Sequence, residues 1–206
     1  MSTRQVLIIN TGTANVASVA AAFTRLGVQP RVQVDSLSVR ENSLVVLPGV
    51  GSFGAAMQRL RELDLCDVLL DRVRLGRPLL AICLGMQLLC ESSEESPGEI
   101  GLSAIPGCLR RFEPPARVPQ MGWNQIAPTA GAAMLRPATM YFANSYRLEE
   151  IPQGWAGATA HHGQTFVAAI ERGPILACQF HPELSADHGQ DLLRRWLELA
   201  SERVTC

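Results

Sequence analysis

Between Val6 and Cys90, short apolar runs alternate with stretches whose apolar positions recur every three to four residues. Val6–Asn10 reads as a buried strand, followed by a Gly-containing turn and an amphipathic helix from Val16 to Leu26 that Gly27 closes. Arg31–Val34 and Leu44–Leu47 are further short apolar strands. Phe53–Leu63 and Leu65–Leu75 carry helical periodicity, and Gly76 ends the second of them. Pro78–Ile82 is another strand, and Leu84–Cys90 is again helical. Strands without polar alternation are buried on both faces, and the helices between them supply both crossover and cover. The pattern predicts a parallel sheet enclosed by helices.

The second half changes character. Short strand-like runs recur near Leu109–Phe112, Gly122–Ile126, Met140–Tyr146, Ala156–Ala160, Phe166–Ile170 and Ile175–Phe180, separated by Gly and Pro turns. A last helix is expected from Gly189 to Ala200. No repeat, linker or break in composition divides the chain, so one α/β domain over residues 1–206 is expected. It would hold a central mixed, mostly parallel sheet, helices on its flanks and an antiparallel portion. At 47% hydrophobic and 18% charged residues, the chain has the makings of a substantial core.

Several function classes find no support. The net charge is −1 and no basic run appears, so no nucleic-acid partner is expected. All 18 basic residues are Arg, which rules out lysine Schiff-base chemistry and a Walker A phosphate site. Val6–Ile9 is too short for a membrane span or a signal core, so a cytoplasmic protein with reduced thiols is expected. Cys66, Cys83, Cys90, Cys108, Cys178 and Cys206 lie far apart, with no metal-ligand spacing. No metal or cofactor is expected. All but Cys83 read as small buried hydrophobes.

Cys83 is different because an apolar strand runs straight into it and a helix starts directly after it. Ala81 and Gly85 flank it at i−2 and i+2, as small residues do in a nucleophile elbow, where a strained turn leaves no room for bulk. The helix N-terminus favours a thiolate there. Gln179-Phe180-His181-Pro182-Glu183 ends another apolar strand. Pro182 pushes His181 into the extended region, where residues i and i+2 point to the same side. Glu183 is then placed to orient the His181 ring and leave its other nitrogen for a thiol. The third motif, Leu47-Pro48-Gly49-Val50-Gly51-Ser52-Phe53-Gly54, spells G-x-G-x-x-G, the dinucleotide fingerprint. It does not follow the first strand, and no acidic strand end lies about twenty residues on. A loop whose backbone N–H groups face an oxyanion fits better.

These motifs, in this order, resemble the class I (triad) glutamine amidotransferases over nearly the whole chain. Leu47–Gly51, Cys83-Leu84-Gly85-Met86-Gln87, Ser93-Glu94-Glu95, Met121-Gly122-Trp123-Asn124 and Tyr141-Phe142 look like one branch, the glutaminase subunits of imidazole glycerol phosphate synthases in histidine biosynthesis. The resemblance implies Cys83 as nucleophile, His181 as acid and base, and Glu183 as its orienter. It further implies an oxyanion strand at Gly49, Val50 and Gly51, with the Leu84 N–H as a second donor. Gln87, Glu95, Ser145 and Tyr146 match glutamine-binding positions, with Glu95 facing the α-ammonium group. A γ-glutamyl thioester on Cys83 would be hydrolysed by water, and ammonia would pass to a (β/α)₈-barrel cyclase subunit in a heterodimer. Asn15, Gln120, Met121, Trp123, Asn144 and Leu184 fall where the family meets that partner.

The chain also departs from the family pattern. Gln120 and Asn144 each stand where His is usual, Leu184 stands where a basic residue follows H-P-E, Ala81 replaces the elbow Gly, and Gly12-Thr13-Ala14-Asn15 lacks a second Gly. The three polar changes leave open an amidotransferase serving a different synthase. A non-catalytic scaffold subunit is a third reading, opposed by the intact Cys83, His181 and Glu183. Trp123 is also readable as core packing, and Glu95 as a solvated loop charge.

Overall fold

The computed structural model describes residues 4–12 and 14–202, so Thr13 and Cys206 lie outside the described residues. In chain order the first half comprises β1 (Gln5–Ile9), α1 (Val16–Arg25), β2 (Gln29–Gln33), α2 (Ser36–Glu41), β3 (Val45–Gly49), α3 (Phe53–Glu62), α4 (Cys66–Arg74), β4 (Leu79–Cys83) and α5 (Leu84–Leu88). Then follow β5 (Ser92–Ser93), β6 (Cys108–Arg111), β7 (Gln120–Pro128), β8 (Ala138–Asn144), β9 (Tyr146–Arg147), β10 (Ala156–His162), β11 (Gln164–Arg172), β12 (Ile175–Cys178), a 3₁₀ turn at Pro182–Leu184, and α6 (Ala186–Glu202).

Nine strands form one sheet in the order β2-β1-β3-β4-β12-β11-β10-β7-β8. The strands from β2 to β12 run parallel, as the alternating pattern requires, and β11, β10, β7 and β8 continue antiparallel. A small second sheet, β5-β6-β9, lies apart. Because side chains alternate across a strand, the parallel strands feed two cores. Val6, Ile8, Leu80, Ile82 and Leu176 pack with Phe23 of α1 and Trp196 of α6 on one face. Leu7, Ile9, Leu79, Ala81 and Ile175 pack with Val39, Met57 and Leu69 of α2, α3 and α4 on the other. These are the three expected layers.

Helix α2, strand β5 and the 3₁₀ turn at Pro182–Leu184 have no counterpart in the expected pattern. Helix α2 buries only Val39, too little apolar periodicity to reveal it, and its N-terminus rests on the Asp35 carboxylate accepting the Ser38 N–H at 2.7 Å. Strand β5 is two residues long. The cysteine expectation also needs correction: Cys90 and Cys178 are buried, but Cys66 and Cys108 are half-buried. Cys66 opens α4, and Cys108 lines a surface groove with Pro106, Leu148 and Ile151. Arg72 is buried and donates to the carbonyls of Val39, Asn42, Ser43 and Pro78 at 2.7–2.9 Å. A planar guanidinium fork suits four fixed acceptors in a way a lysine cannot.

Where β3 and β4 meet α5, the packing admits no side chain. A Cβ on Gly85 would sit 2.0 Å from the Leu47 carbonyl oxygen. That carbonyl belongs to β3, which is held in register with β4 through Leu47 and Ala81. Gly85→Ala is therefore expected to destabilise the protein by about 3 kcal/mol, read as a lowered urea midpoint. An unchanged midpoint would refute the close approach.

Candidate active site

The parallel register sets the site. Gly49 pairs with Cys83, and Cys178 pairs with Ile82, so the loop after β3, the start of α5 and the chain leaving β12 converge at the carboxyl edge of the sheet. Open α/β sheets place ligands at that edge. Cys83 has φ 53° and ψ −109°, a backbone conformation costly for a residue with a Cβ. The strain is held by the fully buried strand before it and by the Gly85 contact after it, and it turns the thiol out of the sheet. This is the strand-to-helix elbow expected from the flanking small residues.

His181 is extended, with φ −101° and ψ 93°. Its N–H donates to the Tyr141 carbonyl at 2.8 Å, and its carbonyl accepts from Ser185 Oγ at 2.6 Å, while Ser185 Oγ also accepts the Tyr141 N–H at 3.0 Å. The turn is thus clamped to β8. His181 Nδ1 lies 2.8 Å from Glu183 Oε1, both residues being buried. Cys83 and His181 line the same cavity, and the thiol is one of the groups that act on the imidazole. Burial by itself would depress the His181 pKa, but hydrogen bonds to Cys83 and Glu183, and the charges of both, outweigh it and push it up to about 10. Cys83 and His181 thus face one cavity, with the Glu183 carboxylate held on the His181 ring. Among the thiols of the core, burial pushes Cys90 up to about 12 and Cys178 well above the ordinary thiol value.

A cavity of about 300 Å³ opens onto the thiol. Of the expected glutamine-binding residues, Gln87, Glu95, Ser145 and Tyr146 all line it; of the expected oxyanion residues, Val50, Gly51 and Leu84 do. Gly49 lies behind them, where a Cβ would press on Leu84 Cβ at 3.0 Å and the Gly85 nitrogen at 3.1 Å. Glu95 is half-buried, and its Oε2 accepts the Phe53 N–H at the start of α3 at 2.6 Å, so it is a fixed wall of the cavity, not a loop charge in solvent.

The residues expected at a partner face divide in two. Met121 is 69% exposed, Trp123 55% and Leu184 40%, which removes the core-packing reading of Trp123. The Trp123 ring meets Tyr141 edge-on at 5.9 Å. Gln120 and Asn144, by contrast, are 4% and 5% exposed and pair directly across β7 and β8, so they lie beneath the surface, beside Met121 and the cavity. Asn15 is exposed at the start of α1, where its Oδ1 accepts the Ser18 N–H at 3.3 Å. Sequence reasoning passed over Gln179 and Ala143. Gln179 Nε2 and the Ala143 carbonyl lie 3.8 and 3.9 Å from Cys83 Sγ. Gln179 reaches the sulfur through the register of β12 on β4, which no local pattern in the sequence announces.

The family description "Glutamine amidotransferase class-I" matches residues 7–199. The imidazole glycerol phosphate synthase subunit HisH of Methanothermobacter thermautotrophicus is 40% identical, over 94% of this chain and 98% of that protein. The subunit of the same name from Xylella fastidiosa (strain 9a5c) is 42% identical, over 95% of this chain and 98% of its own length. The chain belongs to the class I glutamine amidotransferases, in the HisH family. This amidotransferase also shares its fold with a crystal structure of a glutamine amidotransferase at TM-score 0.77 and 21% identity, covering 95% of this chain and 99% of that one. A chain of the PurLQS structure from Thermotoga maritima superposes at TM-score 0.67 with 14% identity, covering 95% of this chain and 98% of that one. Among the described residues of this family member, no helix is long and apolar enough to cross a membrane, and no cluster of His, Cys, Asp and Glu is arranged to hold a metal ion.

Proposed function

We propose that this chain, acting as one domain, is the glutaminase subunit of an imidazole glycerol phosphate synthase, with Cys83, His181 and Glu183 as its catalytic triad. The observation that carries the reading is that the Cys83 thiol and the His181 ring line one cavity, with the Glu183 carboxylate 2.8 Å from His181 Nδ1. In the proposed reaction the glutamine side-chain amide enters beside Cys83. The sulfur attacks Cδ after giving its proton to His181, and the negative charge that develops on the amide oxygen meets the backbone N–H groups of Gly51 and Leu84. His181 returns the proton to the departing nitrogen, so ammonia leaves and a γ-glutamyl thioester remains. A water then gives a proton to His181 and its oxygen to the thioester carbon, the sulfur departs, and glutamate is released. Glu95 is assigned to the α-ammonium group, and Gln87, Ser145 and Tyr146 to the rest of the substrate.

The ammonia is proposed to enter a (β/α)₈-barrel cyclase subunit, in the cytoplasm. Support comes from exposed apolar residues: Val50 and Met121 line the cavity, and Trp123, on the same strand as Met121, and Leu184, beside the Glu183 turn, are also left exposed, as at the centre of a protein interface. The deciding measurement is glutamine hydrolysis with and without the cyclase and its ribonucleotide. Strong stimulation is expected, and its absence would remove the pathway assignment. Trp123→Ala is expected to weaken the complex about tenfold or more in Kd, as measured by titration calorimetry. An unchanged Kd would take Trp123 out of the interface.

A further inference from the structure

Gln179 is completely buried at the end of β12, and both ends of its amide are engaged. Its Oε1 accepts from Gln87 Nε2 at 3.0 Å, and its Nε2 donates toward Cys83 Sγ at 3.8 Å. Oxygen and nitrogen of an amide are told apart by their partners, and here the partners are unambiguous. Gln87 Nε2 also reaches the Tyr146 carbonyl at 3.4 Å, and Asn144 Nδ2 reaches the same carbonyl at 3.0 Å. A carbonyl only accepts, so Gln87 must present its NH₂ group on that side. With that NH₂ also facing Gln179, Gln179 must turn its oxygen to Gln87 and its N–H to the sulfur.

An N–H aimed at sulfur does little for a neutral thiol, a weak acceptor, and much more for a thiolate, because hydrogen bonds to ions are roughly twice as strong. We infer that Gln179 stabilises the Cys83 thiolate and that Gln87 locks it in the donor orientation. The inference rests on the reading of Cys83 as the nucleophile. The proton balance is simple: the thiol proton goes to the face of His181 not occupied by Glu183, and Gln179 keeps both of its own. The donor serves twice in each turnover, once when the thiolate forms before attack and again when the thioester carbon expels it. Gln87 then does more than line the substrate cavity, since it orients the group that touches the reacting sulfur.

The test uses labelling of Cys83 by iodoacetamide, quantified on its peptide by mass spectrometry, in the full chain across a pH series. Gln179→Glu keeps an oxygen for Gln87 and sets an acceptor against the sulfur. Labelling at pH 7 is expected to fall at least about tenfold, with the profile displaced to higher pH. With glutamine, kcat should fall and KM should change little. Gln87→Met removes the lock and is expected to move the labelling profile the same way by a smaller amount; it also decides the matter should Gln179→Glu not fold. A folded variant whose labelling profile superimposes on the parent overturns the inference. Labelling needs neither substrate nor partner, so failure of the parent to hydrolyse glutamine would sink the reading of the site without touching this result.

Discussion

Cys83→Ala is expected to remove glutamine hydrolysis, a fall on the order of 10⁴-fold or more, while the complex goes on making product from free ammonium. The first half follows from the site. The other described thiols are spread through the core, the start of α4 and the β6 groove, and none lines the cavity shared by Cys83 and His181. The second half follows from the proposed separation of the chemistries, in which ammonia is consumed in a partner subunit. Alanine fits the elbow without a clash, so the fold should persist. Steady-state assays with glutamine and with ammonium salts, run on the same reconstituted complex, check both halves. Loss of ammonium-dependent synthesis as well would mean that the two chemistries share a site.

Glu183→Gln is expected to lower kcat by about 10³- to 10⁴-fold with little change in KM. Glu183 Oε1 lies 2.8 Å from His181 Nδ1, so the carboxylate requires a proton on that nitrogen and leaves the nitrogen facing sulfur free to accept one. An amide of the same shape presents N–H as readily as C=O, and the ring then takes the wrong tautomer. The charge matters too. Glu183 is one of the groups that raise the His181 pKa to about 10 against burial, so in the variant this pKa falls and the imidazolium beside a thiolate loses support. A pH–rate profile together with kcat and KM reads both effects. Activity within tenfold of the parent would show that Glu183 does not orient the ring.

Much of this architecture is written in local pattern. Unbroken apolar runs mark β1, β3, β4 and β12 because those strands are covered on both sides, whereas the edge strand β2, expected as an apolar run at Arg31–Val34, is polar and largely exposed; the amphipathic stretches mark α1, α3 and α4. The expected boundaries fall within a few residues of the observed ones, as with Val16–Leu26 against Val16–Arg25. Pattern fails where burial is slight: α2 presents a single buried residue, Val39, and depends on its Asp35 cap. The exposed pair Met121 and Trp123, with Gln120 turned inward, follows the two-residue alternation of β7, so it was legible once the strand was recognised. The change at Gln120 and the change at Asn144 look like two separate events along the chain. Across β7 and β8 they are one contact, with Gln120 Oε1 and Asn144 Oδ1 both buried without a hydrogen-bond partner.

From the order of its residues alone, then, the chain declares its layers, its elbow cysteine and the His181–Glu183 pair, because each depends on neighbours a few positions away and on side-chain type. Which groups surround the sulfur is a different matter. Gln179 comes to Cys83 from 96 residues along the chain, through the register of β12 on β4, and Gln87 turns it toward the sulfur from the neighbouring helix α5. Hydrogen-bond register between distant strands is settled only when both faces of the sheet are packed, so the donor on the sulfur and the pairing of Gln120 with Asn144 belong to the folded molecule.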